Sequence, residues 1–100
     1  MNSLCNNFIN AVKDDTYKEK GWGTSCYGTS KVALIALSNI MAREEKSNGI
    51  IINACCPGYC DTDMSSHKGP RSAEKGAETP VYLALGIKND GPTGKFFYDL

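Results

Sequence analysis

One hundred residues make at most one domain. A composition of 41% hydrophobic and 22% charged residues excludes intrinsic disorder. Eleven basic residues balance eleven acidic ones, which leaves no electrostatic footprint for nucleic acid or an anionic membrane.

No apolar run reaches the roughly 18 residues of a membrane span. The start, Met1-Asn2-Ser3-Leu4-Cys5, lacks the basic-then-apolar layout of a signal peptide. The five cysteines are odd in number and come without a secretory signal. They read as reduced thiols of a cytoplasmic protein. Cys55 and Cys56 are adjacent and would point to opposite faces of a strand. No C-x-x-C pair joins them to Cys60, so no metal site is expected. His67, the single histidine, lies in a polar stretch and reads as a solvated loop residue.

Residues 3–19 read as an amphipathic helix. Leu4, Phe8 and Val12 recur every four positions, and Cys5 and Ile9 widen the stripe. Asn2 or Ser3 can cap its start. Gly21-Trp22-Gly23-Thr24 then breaks the pattern, with Trp22 placed to anchor an irregular connection. Gly21, Gly23 and Gly28 do not fit G-x-G-x-x-G, and no strand precedes them, so this is not a dinucleotide fingerprint.

A second helix is expected over 25–46. Val32 to Leu37, Ile40, Met41 and Ala42 make it apolar nearly all round, the pattern of a helix buried on more than one side. Asn48-Gly49 stops it. Tyr27 and Lys31 stand one turn apart on one face, at its first turn. A free tyrosine titrates near 10, and a nearby cation favours the phenolate. A phenol beside an ammonium group can therefore deliver a proton, although the Y-x-x-x-K spacing alone is weakly specific.

Residues 50–56 read as a parallel strand covered on both faces: short, apolar, with β-branched residues first. Pro57-Gly58 ends it, and the segment 57–71 follows. In open parallel sheets, ligands bind beyond the carboxyl ends of the strands. Backbone N–H groups and the Thr62 hydroxyl in this segment are candidate ligand contacts; an ordinary connecting loop is the competing reading. A third helix is expected over 72–86, capped by Ser72, with Pro80 imposing a kink or a late start. A final strand is expected over 95–98. The fold class is α/β, about three helices and two strands. Such a strand pair does not stand alone, so the chain reads as the last part of a larger Rossmann-type, doubly wound parallel sheet whose other strands precede Met1.

These stretches carry a resemblance. Tyr27-Gly28-Thr29-Ser30-Lys31 is similar to the active-site Y-x-x-x-K of short-chain dehydrogenases/reductases. Asn53 to Gly58, followed by Thr62-Asp63-Met64, looks like that family's strand and Pro-Gly loop. Together with Gly76 to Leu85, the run Ala54-Cys55-Cys56-Pro57-Gly58 resembles the NADPH-dependent carbonyl reductase branch. The resemblance covers nearly the whole chain, residues 1–100.

It implies hydride transfer from NADPH to aldehydes, ketones or quinones. Tyr27 would be the general acid, and Lys31 would hold the nicotinamide ribose hydroxyls and favour the Tyr27 phenolate. Pro57, Gly58, Cys60, Asp61 and Thr62 would lie along the cofactor, and Tyr59 and Met64 would line the substrate pocket. Residues 3–19 look like the inserted helix that covers the pairing surface of other members, which implies a monomer.

The phosphate loop, the first strands, the catalytic serine and the relay asparagine of the family have no counterpart here; they would lie upstream. Ser3 and Ser25 are wrongly placed for the serine. Asp61 is a departure, an acid where related reductases often have a basic or neutral residue. The competing expectations are a non-catalytic binding or interaction product of the same fold, and a truncation that misfolds.

Overall fold

Among the described residues, 2–98 of the computed structural model, the helices are α1 (Asn2–Lys13), α2 (Cys26–Glu45) and α3 (Ala73–Leu85). The strands are β1 (Ala54–Cys56) and β2 (Phe96–Tyr98), which pair in parallel, so the fold is α/β. Met1, Asp99 and Leu100 of the expected 1–100 domain lie outside the described residues. The chain divides into two units, Met1–Leu37 and Ser38–Leu100.

In the first unit, α1 ends at Lys13 rather than at 19. The reason is a C-terminal cap that the charged composition of 13–20 concealed. Asp15 adopts φ 57°, and the Thr16 N–H returns to the Ala11 carbonyl (2.8 Å) while the Asp15 N–H returns to Val12 (3.2 Å). This is the double bond pattern of a Schellman motif, with aspartate taking the position usually given to glycine. A second tight turn, closed by Trp22 N–H on the Tyr17 carbonyl (2.9 Å), brings Trp22 onto Phe8, ring centres 5.3 Å apart. The anchor expected of Trp22 is thus a tilted aromatic contact. Of the α1 stripe, Phe8 is half-buried while Leu4, Ile9 and Val12 are exposed, and Ala11 is the buried residue.

The expectation that α2 is buried on several sides is not met. Val32 is 67% exposed, and Leu34, Leu37 and Met41 are also exposed; Ala42, at 1%, is its one buried residue. An all-round apolar helix needs packing layers on several faces, and the described residues supply them on few.

In the second unit, the strand expected over 50–56 is regular only at 54–56. Register is Ala54↔Phe96, Cys55↔Phe97 and Cys56↔Tyr98. Before it, one backbone bond remains, from the Gly94 N–H to the Ile52 carbonyl (2.8 Å), and side chains carry the rest of the pairing. Asn53 Nδ2 donates to the Pro92 carbonyl (2.9 Å), and its Oδ1 accepts the Lys95 N–H (3.0 Å). The Ile52 N–H donates to Thr93 Oγ1 (3.0 Å). The cause lies in the partner segment: Pro92 has no N–H to donate, and Gly94, though bonded to Ile52, sits at φ 70°, outside strand geometry, so the regular ladder does not continue. Ile50 is exposed and Ile51 and Ile52 are only half-buried, so the expected cover on both faces is also absent among the described residues.

α3 runs through Pro80 without a late start. Ser72 caps it, its Oγ accepting the Lys75 N–H (3.1 Å), and Glu74 stands in the favourable first turn. Pro80 falls one turn after Gly76, so the intrahelical bond it cannot donate is the one to the Gly76 carbonyl.

Candidate active site

The first turn of α2 is built by Ser25. Its Oγ accepts the Gly28 N–H (2.9 Å), the bond of an N-cap to the third helical residue. Its carbonyl accepts from the Thr29 N–H (3.1 Å) and the Thr29 hydroxyl (3.0 Å). Ser30 Oγ donates to the Tyr27 carbonyl (2.7 Å). Three short polar side chains thus tie down the one turn that carries Tyr27.

Tyr27 is 59% exposed, and Lys31, one turn on, is exposed beside it. The Lys31 ammonium lies 5.5 Å from the centre of the Tyr27 ring, within cation–π range. The spacing-based expectation that the two share a face therefore describes the structure. What holds them there is the capped helix start, not a deeply buried helix. Chemically, the pair offers a phenolic proton and a fixed positive charge at one exposed spot.

The segment Pro57 to Met64 belongs to the second unit. Beyond Cys56 the chain turns at Gly58 (φ 86°), where a Cβ would stand 3.0 Å from Arg71 Nε. Arg71 also bonds the segment through its backbone, accepting the Asp61 N–H (2.7 Å) and donating to the Tyr59 carbonyl (3.2 Å). The Thr62 N–H donates to Ser65 Oγ (3.2 Å), and that hydroxyl lies 2.6 Å from the Cys60 carbonyl. The amides of Asp61 and Thr62, expected to be open to a ligand, are therefore engaged within the loop. A segment leaving a strand end must satisfy its own backbone before it can serve a ligand.

The Asp61 carboxylate is engaged too. His67 Nδ1 is 2.6 Å from Asp61 Oδ1, and its Nε2 is 2.9 Å from Asp63 Oδ1. His67 is exposed, as a loop residue should be, yet it bridges two acids; a doubly protonated ring would donate to both. Tyr59 and Met64 are exposed, Met64 at 79%. Burial pushes the Cys55 thiol above its ordinary range, and the neighbouring Cys56 adds to the shift. Among the described residues, no cluster of three or more His, Cys, Asp or Glu could hold a metal ion, and no helix is long and apolar enough to cross a membrane. All five cysteines are free thiols.

Two contributors escaped the motif analysis. Ser25 was readable as a serine three residues before Gly28 at a helix start. Arg71 was not, because only the bridge between Cys60 and Arg71 brings it against the loop.

The comparisons with known proteins agree with one another. A family model described as short chain dehydrogenase matches residues 13–73. Carbonyl reductase (NADPH) 1 of Mus musculus is 44% identical over 101 positions, covering 96% of this chain and 36% of that protein. The Homo sapiens protein of the same name is 44% identical over 98 positions, covering 93% and 35%. The structure of salutaridine reductase from Papaver somniferum matches with a TM-score of 0.86 at 33% identity, over 99% of this chain and 33% of that one. The chain thus spans about a third of the length of the curated relatives it matches.

Proposed function

This chain belongs to the short-chain dehydrogenase/reductase family, and on that premise we propose that it carries the proton-donating part of an NADPH-dependent carbonyl reductase. The observation that carries the reading is the Lys31 ammonium held 5.5 Å from the centre of the Tyr27 ring at the capped start of α2.

The donor chemistry of this pair fits the cofactor. A phenol and an ammonium at one exposed spot match the vicinal hydroxyls of a ribose. NADPH, when bound, supplies the hydride. Tyr27 Oη donates the proton to the carbonyl oxygen of the substrate as charge develops on it. Lys31 Nζ holds the nicotinamide ribose and stabilises the tyrosinate left behind. By the family resemblance, Pro57, Gly58, Cys60, Asp61 and Thr62 would be the loop residues that hold the cofactor, and Tyr59 and Met64 those that line the substrate pocket. The Asp61 and Thr62 amides are engaged within the loop, and the Thr62 hydroxyl accepts from the Ser65 N–H in a capping box, so the backbone before Asp61 would be the part that serves the cofactor.

Residues 1–100 would supply the C-terminal portion of the domain, with α1 and the turn after it as the inserted segment. The phosphate loop, the serine and the relay asparagine would come from upstream sequence, and the isolated 100 residues would be inactive. Substrates would be small aldehydes, ketones or quinones. The full-length form would be a cytoplasmic monomer, a location supported by the free thiols. The alternative of a non-catalytic interaction product is not favoured, since the similarity to the carbonyl reductases runs over nearly the whole chain.

The test is Tyr27→Phe in the full-length protein. Turnover should fall about 10²- to 10⁴-fold while NADPH affinity stays within about twofold. Unchanged turnover would remove Tyr27 as the acid.

A further inference from the structure

Glycine is the poorest helix former after proline, yet Gly76 lies inside α3 and is buried there. A Cβ built on it would collide with Cys60 Sγ, and would touch the carbonyl oxygen of Pro57 (3.5 Å) and the Pro57 Cβ (3.6 Å). The Cys60 thiol, seated against this bare turn of helix, lies 3.6 Å from the carbonyls of both Pro57 and Gly58. A sulfur at that range is a weak donor to each. From the other side, a Cβ on Gly69 would run into the Cys60 backbone and stand 2.7 Å from the Tyr59 carbonyl. The loop is thus gripped at Cys60 between two positions where no side chain fits.

We propose that Gly76 is a positioning residue: its missing side chain makes a notch in α3 that seats the Cys60 thiol and sets the Pro57–Thr62 loop in place for the cofactor. The proposal rests on the carbonyl reductase reading for its functional consequence and on the Cys60–Gly76 contact for its structural one. Gly76 touches neither substrate nor cofactor; it acts through Cys60. A methyl group at 76 expels the thiol and displaces the loop, whereas the intrinsic preference of the helix would favour alanine.

Two measurements on the full-length protein separate these layers. In the first, Gly76→Ala raises the KM for NADPH about tenfold with kcat within about twofold, and the same substitution in a Cys60→Ala background changes KM less than about twofold. Equal effects in both backgrounds, or none in either, would overturn the notch. The second needs no activity: maleimide labelling of Cys60, followed by peptide mass mapping, should be at least about fivefold faster in Gly76→Ala than in the unsubstituted protein. An unchanged rate sinks the inference. Absence of NADPH-dependent reduction in the unsubstituted protein would sink the carbonyl reductase reading instead, and the labelling would still decide the notch. If Gly76→Ala does not fold, the Gly76→Ala/Cys60→Ala double variant decides: a folded double supports the notch and an unfolded one refutes it.

Discussion

Ser25→Ala is the most informative single change outside the reacting groups. It deletes the Oγ that accepts the Gly28 N–H at 2.9 Å. The bonds from the Thr29 amide and hydroxyl go to the Ser25 carbonyl, which the substitution leaves in place. What is lost is one side-chain acceptor at an N-cap, worth about 1 kcal/mol. That raises the frayed population of the first turn about fivefold. Tyr27 is the second residue of this turn, so a frayed molecule presents neither the phenol nor its register with Lys31. In the full-length protein, the expected result is a Tm about 2–4 °C lower and a kcat/KM for NADPH-dependent carbonyl reduction lowered by up to about fivefold. The assay is the loss of NADPH absorbance. Ser25→Asp should retain both properties, since a carboxylate accepts the same bond and suits the positive end of the helix dipole. An alanine variant with unchanged Tm and rate, or an aspartate variant no better than alanine, would refute the capping argument.

Asn53→Leu removes the bonds to the Pro92 carbonyl and from the Lys95 amide and should cost about 2 kcal/mol. Asn53→Asp, which keeps only the acceptor, should also destabilise; denaturant melts within about 0.5 kcal/mol of the unsubstituted protein would count against the side-chain bridge between these segments. Cys55 should be the slowest of the five thiols to alkylate at neutral pH, because burial holds it protonated. Its folded-state pKa is raised, so folding favours the thiol; this contribution is complete below the unfolded value and is lost as pH rises through the folded one. Peptide mapping of labelling against pH checks the order, and Cys55 labelling ahead of the exposed Cys26 would contradict it. His67→Ala should shift stability by less than about 0.5 kcal/mol despite two short contacts, since exposed ion pairs contribute little. A chemical melt showing several times that loss would mean the bridge organises the loop.

Much of the candidate site was legible because its signals are local. Tyr27 and Lys31 share a face by helical period alone, and Pro57-Gly58 ends a strand wherever that strand lies. Caps were half legible: Ser72 was read from its place before a helix, but the Asp15 cap of α1 was not, because aspartate seldom takes a left-handed turn and here does. The strand boundary failed for a reason outside the strand. Ile50 to Ile52 have every β preference, but the segment before β2 holds Pro92, which has no N–H, and Gly94 at a positive φ, and a regular ladder stops there.

By itself, the sequence determined the α/β alternation, the pairing of Tyr27 with Lys31, the break at Pro57-Gly58 and the family resemblance. Each follows from backbone preference or from side chains within a turn of one another. Only the tertiary structure decided what secures them. It engaged the Asp61 amide with Arg71, the Asp61 carboxylate with His67 and the Cys60 thiol with the bare turn at Gly76. It also left the apolar faces of α2 exposed where periodicity alone implied burial. The physical reason is common to all of these: burial, close approach and hydrogen-bond satisfaction are properties of two segments at once, and a single stretch of sequence carries only one of them.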